Sequence, residues 1–158
     1  MKSQKMERTL LIIKPCAVQR GLIGAVISRI EQRGLKIVAM KMQQLDAAKL
    51  REHYSHKVDK PYYPLIEASM MAAPVVLMCI EGIEAVQVVR DMAGTTNGRH
   101  AQPGTLRGDY CVSGQENIVH ASDSILAAAQ ELNRFFCDTD YMDYESPLFN
   151  YLYAADEI

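Results

Sequence analysis

Pro74-Val75-Val76-Leu77-Met78-Cys79-Ile80 decides the fold. A run of apolar side chains behind a proline leaves no face for water, so it reads as a buried β-strand. A helix is expected directly after it, over Ile83 to Met92, with Gly94 as its end. Working outward, Thr9 to Ile13 is a second continuous apolar run, stopped by Lys14-Pro15. Between the two, Leu22, Ile23, Val26, Ile27 and Ile30 form a helical stripe within Gly21 to Arg33, and Gly34 closes it. Leu35 to Leu45 reads as a strand, and Asp46 can cap a short helix reaching about Tyr54. After the turn-like Asp59-Lys60-Pro61, a second short helix covers Pro64 to Met71. Asn117 to His120 is the last strand, running into a long helix that starts near Ser122 or Ser124 and reaches about Phe136. The order is βαββαβ with extra helices, which places the chain in the α+β class as a split βαβ sandwich.

The whole chain fits that plan. At 158 residues, with 49% hydrophobic and 23% charged side chains, it is expected to form one compact domain over residues 1–158, with flexible ends at about 1–6 and 154–158. The polar start MKSQKMERT and the short run Leu10 to Ile13 resemble neither a signal segment nor a membrane span, so a cytoplasmic protein with no membrane association is expected. Cysteines at 16, 79, 111 and 137 have no paired spacing and are expected to be reduced thiols, mostly buried. A net charge of −2 with no block of Lys or Arg argues against a nucleic-acid surface. A polyanion would have to be held by a few cations gathered at one place.

Gly94 to Glu116 breaks the rhythm, carrying five of the nine glycines and no apolar period. Such a loop is either a solvated excursion or contact, or a ligand loop. Thr96, Thr105 and Arg107 favour the second, because hydroxyls and a guanidinium suit phosphate oxygens and glycine lets backbone approach them. The familiar nucleotide signatures are missing: no Walker phosphate loop, no G-x-G-x-x-G after a strand, no protein-kinase set. Neither a G-x-S-x-G elbow nor H-E-x-x-H is present, and no metal site made by the protein is expected.

What remains is Asn117-Ile118-Val119-His120-Ala121-Ser122-Asp123-Ser124. His120 falls where a strand ends and a helix begins, which can aim an imidazole at a cleft. A neutral imidazole is a competent nucleophile near neutral pH. Alone, such a histidine reads more readily as a hydrogen-bonded core residue. Glu131, about two turns into the next helix, can face back and fix its tautomer.

These residues resemble the nucleoside diphosphate kinases. The likeness is carried by Arg8 to Pro15, Val18 to Leu22, His53-Tyr54, Pro61 to Pro64, Gly104 to Asp109 and Asn117 to Ser124, in the family's order and spacing, from about residue 7 to residue 153. The resemblance implies a ferredoxin-like fold with a four-stranded antiparallel sheet covered by helices. It also implies a ping-pong reaction in which a nucleoside triphosphate phosphorylates His120 and a nucleoside diphosphate collects the group. Lys14, Arg90 and Arg107 match the family's phosphate-contacting cations, and Thr96 a phosphate-binding hydroxyl. Tyr54 matches a residue beside the histidine, and Asn117 a contact to the sugar hydroxyls. Tyr62 stands where the family usually has phenylalanine and would stack on any base. Of Ser122 and Ser124, one is expected to cap the helix and the other to hold Glu131 or the phosphate. Mg²⁺ is implied through the nucleotide phosphates, and a homohexamer ahead of a tetramer from the tail Tyr141 to Tyr153. A family member that has lost catalysis and serves as a binding module is the rival reading.

Several positions depart from the family pattern. Cys16-Ala17 replaces Asp-Gly, Ala121 replaces the glycine after the histidine, and Gly98 replaces a frequent proline, which is expected to loosen the loop. Gly114 stands where a branched apolar residue packs on the base, so a looser base clamp is expected.

Overall fold

The computed structural model describes residues 5–158. Its sheet has four strands, β1 (Met6–Ile13), β2 (Lys36–Gln43), β3 (Val75–Ile83) and β4 (Val119–Ala121), in the order β2-β3-β1-β4 with every neighbour antiparallel. Helices α1 (Pro15–Gln19), α2 (Ile23–Gln32), α3 (Ala47–His53), α4 (Tyr63–Met71), α5 (Ala85–Ala93), α6 (Leu106–Tyr110), α7 (Ile125–Phe135) and α8 (Phe149–Leu152) complete the chain. This is the expected ferredoxin-like α+β sandwich.

Continuous apolar runs in an antiparallel sheet need both faces covered, and they are. Alternation along β1 and β3 sends Leu11, Ile13, Val76, Met78 and Ile80 to one core, with Val26 and Ile30 of α2 and Val89 of α5. Leu10, Ile12, Val75, Leu77 and Cys79 enter the opposite core, with Leu50 of α3, Met70 of α4 and Leu132 and Phe135 of α7. Over Leu10–Ile13 and Val75–Ile80 the two central strands therefore have no polar face, while β2 at the edge exposes Met40 and Met42.

Local signals set most boundaries. Asp46 accepts from the Lys49 amide at 2.7 Å to start α3, and Ser124 accepts from the Ala127 amide at 3.1 Å to start α7. Gly34 (φ +88°) and Gly94 (φ +82°) turn the chain out of α2 and α5.

Four details differ from expectation. Pro15 ends β1 and also opens a helix, α1, since its missing N–H is tolerated in a first turn. The glycine-rich segment contains a 3₁₀ turn at Gly98–His100 and the helix α6. Gly98 is fixed rather than loose: its amide donates to the Ser113 carbonyl at 3.0 Å, and a Cβ there would lie 2.4 Å from that of Cys111. Strand β4 begins at Val119 because Ile118 takes a left-handed φ of +60°. As for the expected flexible ends, residues 1–4 lie outside the described residues and Met6 already belongs to β1. Residues 154–158 contain a turn in which the Ala154 amide donates to the Glu157 side chain at 2.8 Å.

Leu77 is fully buried on the central strand β3. Leu77→Ala is expected to lower unfolding free energy by about 2–5 kcal/mol. Denaturant titration should show a lower midpoint at an unchanged slope.

Candidate active site

The left-handed turn at Ile118 sets the site. A branched residue at positive φ is strained by about 1–3 kcal/mol and persists only where its surroundings hold it. Arg107 does the holding: Nε donates to the Asn117 carbonyl (3.2 Å), Nη2 to the Val119 carbonyl (2.7 Å) and Nη1 to the Gly94 carbonyl (2.8 Å). The Lys14 amide donates to the Ile118 carbonyl at 2.8 Å. The guanidinium therefore clamps backbone on both sides of the turn as well as lining the cavity, a role its position in a loop did not suggest. Ala121 pairs with Leu11 in β4 and is not among the positive-φ residues, so the alanine there is unstrained.

From this turn β4 carries His120 to the cavity wall, its side chain 19% exposed. Its Nε2 lies 2.5 Å from Oε2 of Glu131, on α7. Ser122 also approaches that oxygen, donating from 3.5 Å, and its own oxygen accepts from the Leu10 amide at 3.3 Å. Ser122 thus sits beneath the carboxylate while Ser124 caps the helix, and neither lines a cavity. The pairing of Nε2 leaves Nδ1 as the free nitrogen of His120.

Asn117 ties the surrounding segments together. Its Oδ1 accepts from Lys14 Nζ at 2.6 Å, while its amide donates to the Thr96 carbonyl (2.8 Å) and the Gly114 carbonyl (3.0 Å). Burial holds the Lys14 ammonium down to about 8, helped by the positive charge of Arg107. Burial pushes the Tyr54 phenol well above its ordinary value, so its hydroxyl stays a donor. Arg90 pairs with Asp123 at 2.5 Å.

Two adjoining cavities of about 270 and 250 Å³ share Lys14, Tyr54, Lys57, Thr96 and Asn117. The first holds His120, Glu131, Arg90 and Arg107, and the second Tyr62, Ile66, Gly114 and Gln115. Each is small for a drug-sized ligand, so a molecule with a charged and a flat apolar end fits best across both. At Gly114 a Cβ would meet nothing nearer than Asn97 Cγ at 3.8 Å, so the second cavity is open on that side.

Three contributors were missed from sequence. His53 and Lys57 line the charged cavity, and the Gln115 amide donates to the Leu65 carbonyl at 2.9 Å, linking the two walls of the apolar one. His53 stands in the quoted His53-Tyr54 stretch with no role assigned to it, whereas only contacts between distant segments reveal Lys57 and Gln115. Ligand atoms of His53, His120 and Glu131 lie within 4.8 Å of one another, and His120 Nε2 and Glu131 Oε2 are hydrogen-bonded to each other. A hard ion such as Mg²⁺ takes oxygen ligands, and the carboxylates lining the cavity, Asp123 and Glu131, are engaged by Arg90 and His120. Such an ion would need oxygens beyond those of these two side chains.

A histidine oriented by a carboxylate, facing cations and joined to an aromatic slot, defines a nucleotide phosphotransferase that works through its own imidazole. The chain belongs to the nucleoside diphosphate kinase family, whose sequence model, described as "Nucleoside diphosphate kinase", matches residues 7–141. It is 54% identical over 152 residues to a nucleoside diphosphate kinase of Parabacteroides distasonis, covering 96% of this chain and 99% of that one. Identity to nucleoside diphosphate kinase B of Canis lupus familiaris is 42%, covering 93% and 97%. The solved nucleoside diphosphate kinase of Halobacterium salinarum, in complex with CDP, superposes with a TM-score of 0.92 at 36% identity, covering 95% and 100%. The chain is accordingly an enzyme that moves the γ-phosphoryl group of a nucleoside triphosphate to a nucleoside diphosphate through phosphorylated His120, a reaction for which the family needs a divalent metal. No helix among the described residues is long and apolar enough to cross a membrane.

Burial of the Lys14 ammonium couples anion binding to pH. A phosphate anion favours the charged ammonium, so above about pH 8 binding must take up a proton. Diphosphate affinity should fall as pH rises past that value. Calorimetry in buffers of different ionisation heat should show the uptake, and Lys14→Arg, charged throughout, should abolish it.

Proposed function

We propose that each half-reaction occurs with the base in the Tyr62 cavity and the terminal phosphate beside His120. One observation carries this: Nε2 of His120 is held by Glu131, which fixes the proton there and leaves the Nδ1 lone pair as nucleophile. Phosphoryl transfer asks mainly for positioning and for charge stabilisation on the moving group. Lys14, Arg90, Arg107 and Thr96 serve the phosphates, and Tyr54 supplies a neutral donor beside them. Lys57, at the junction of the cavities, adds a further cation. Asn117 Oδ1 retains acceptor capacity for a sugar hydroxyl. Tyr62, 46% exposed, offers its ring face to the base. Ser122 keeps Glu131 in place, and Ser124 shapes the start of α7.

Mg²⁺ is the divalent ion, bound through the nucleotide phosphates, where it neutralises charge on the transferring group. The substrates are nucleoside di- and triphosphates, and a net charge of −2 with no block of Lys or Arg speaks against a nucleic-acid partner. The chain works as a single domain, supported by two cores on one sheet. A homohexamer, with a tetramer as second choice, is supported by apolar surface an assembly would cover: Met40 and Met42 on β2 and Leu148 and Tyr151 in the tail. A cytoplasmic location is part of this reading, supported by the family to which the chain belongs.

Incubation with Mg²⁺ and γ-labelled ATP should give acid-labile label that passes to GDP and is absent from His120→Ala. Acid-stable label, or labelling that survives the substitution, contradicts the scheme. The open side at Gly114 gives a separate expectation: Gly114→Val should tighten nucleotide binding by filling the slot against the base, and no gain in affinity sinks the idea.

A further inference from the structure

His53 is 5% exposed, and its side chain has one partner among the described residues, Arg134. Nη1 of Arg134 lies 2.9 Å from Nδ1 of His53. A guanidinium has no acceptor, so Nδ1 must accept and the ring proton must sit on Nε2. That Nε2–H is buried without a hydrogen-bond partner. A buried donor left unpaired is unfavourable and calls for an explanation.

The surroundings supply one. The His53 ring packs edge-on against His120, with centroids 4.7 Å apart at 77°, and lines the same cavity. One of its nitrogens lies within 4.8 Å of ligand atoms of both His120 and Glu131. Glu131 Oε2 is already committed to His120 and Ser122. Burial above all, then the proximity of His120 and Arg134, pushes the His53 imidazole down to about 2, so it is neutral throughout the working range. The donor is thus permanent; Nε2 itself has no exposed surface, so an acceptor arriving in the cavity that the ring lines must displace a neighbour to reach it.

We propose that His53 is a catalytic residue whose Nε2–H donates to an oxygen of the phosphoryl group moving to and from His120, and that Arg134 is a positioning residue keeping the proton on Nε2. The inference rests on the phosphohistidine reading above. As the bond from the γ-phosphorus to its bridging oxygen breaks, the electron pair leaves with the nucleoside diphosphate and the Nδ1 lone pair of His120 forms the new N–P bond. His53 keeps its proton throughout and only stabilises charge on a non-bridging oxygen. Arg134 is itself steadied by Glu52, whose carboxylate lies 3.6 Å from Nε.

The test is single-turnover phosphorylation by ATP and return transfer to ADP, read beside ADP affinity for the unphosphorylated enzyme. His53→Leu should slow both transfers about tenfold to a hundredfold, the range of a hydrogen bond to a charged group, with ADP affinity unchanged because ADP lacks the transferred group. Arg134→Leu, which leaves His53 in place, should slow transfer less. Arg134→Lys, which can also only donate to Nδ1, should restore it. Wild-type transfer rates in His53→Leu, equal losses of rate and ADP affinity, or failure of Arg134→Lys to exceed Arg134→Leu would each overturn the proposal. Slowed variants should still carry acid-labile label, whereas failure of the underlying scheme would appear as label that does not depend on His120.

Discussion

Ile118 sits at φ +60° with no exposure, in a conformation that a branched side chain avoids, and three backbone bonds from the Arg107 guanidinium keep it there. The turn shortens β4 to three residues and fixes where His120 leaves the sheet. It also places Asn117 where it can take the Lys14 ammonium and draw in the carbonyls of Thr96 and Gly114. The loop, the strand end after β1 and the nucleophile are thereby tied to one strained residue. Arg107 is 9% exposed, and losing it would leave three carbonyls without their donors as well as removing a cation. Binding and architecture are not separable at this residue.

The other charges are also engaged before any ligand is present. Arg90 holds Asp123, Lys14 holds Asn117, and Glu131 holds His120. Side chains already ordered by partners lose less freedom when a phosphate arrives, and they present a preset field to the moving group. The base cavity is built on different terms, with Tyr62 half exposed and Gly114 leaving one side open. The cavity around His120 is thus fixed by paired side chains, while the one beside Tyr62 keeps an open side.

What was legible in the sequence was local. Val75 to Ile80 declares a buried strand, Asp46 and Ser124 start helices with their own side chains, and Gly34 and Gly94 end them. His120 and Glu131 are eleven residues apart on a strand and the next helix, so their meeting could be anticipated from helix geometry. The left-handed Ile118 was hidden because isoleucine does not favour that conformation, and only contacts from Arg107 and Lys14 impose it. The link from His53 to Arg134 spans 81 residues, and the one from Gln115 to Leu65 spans 50. No local pattern encodes either.

The departures from the family pattern also show how context decides a residue's effect. Gly98 in place of proline suggests a slack loop when judged by backbone entropy alone. In the structure its amide bonds to Ser113, which a proline could not do, and its bare Cα lies against Cys111, where a side chain would collide. The glycine is required by close packing in this chain. Gly114 is the reverse case, since a Cβ would meet only ordinary contacts there and nothing in the backbone demands a glycine. Ala121 sits in regular strand pairing with Leu11, so the methyl group strains nothing. Of the three, only Gly114 lines a cavity without being held to glycine, and that cavity is the one beside Tyr62 rather than the one that holds His120, Arg90 and Arg107.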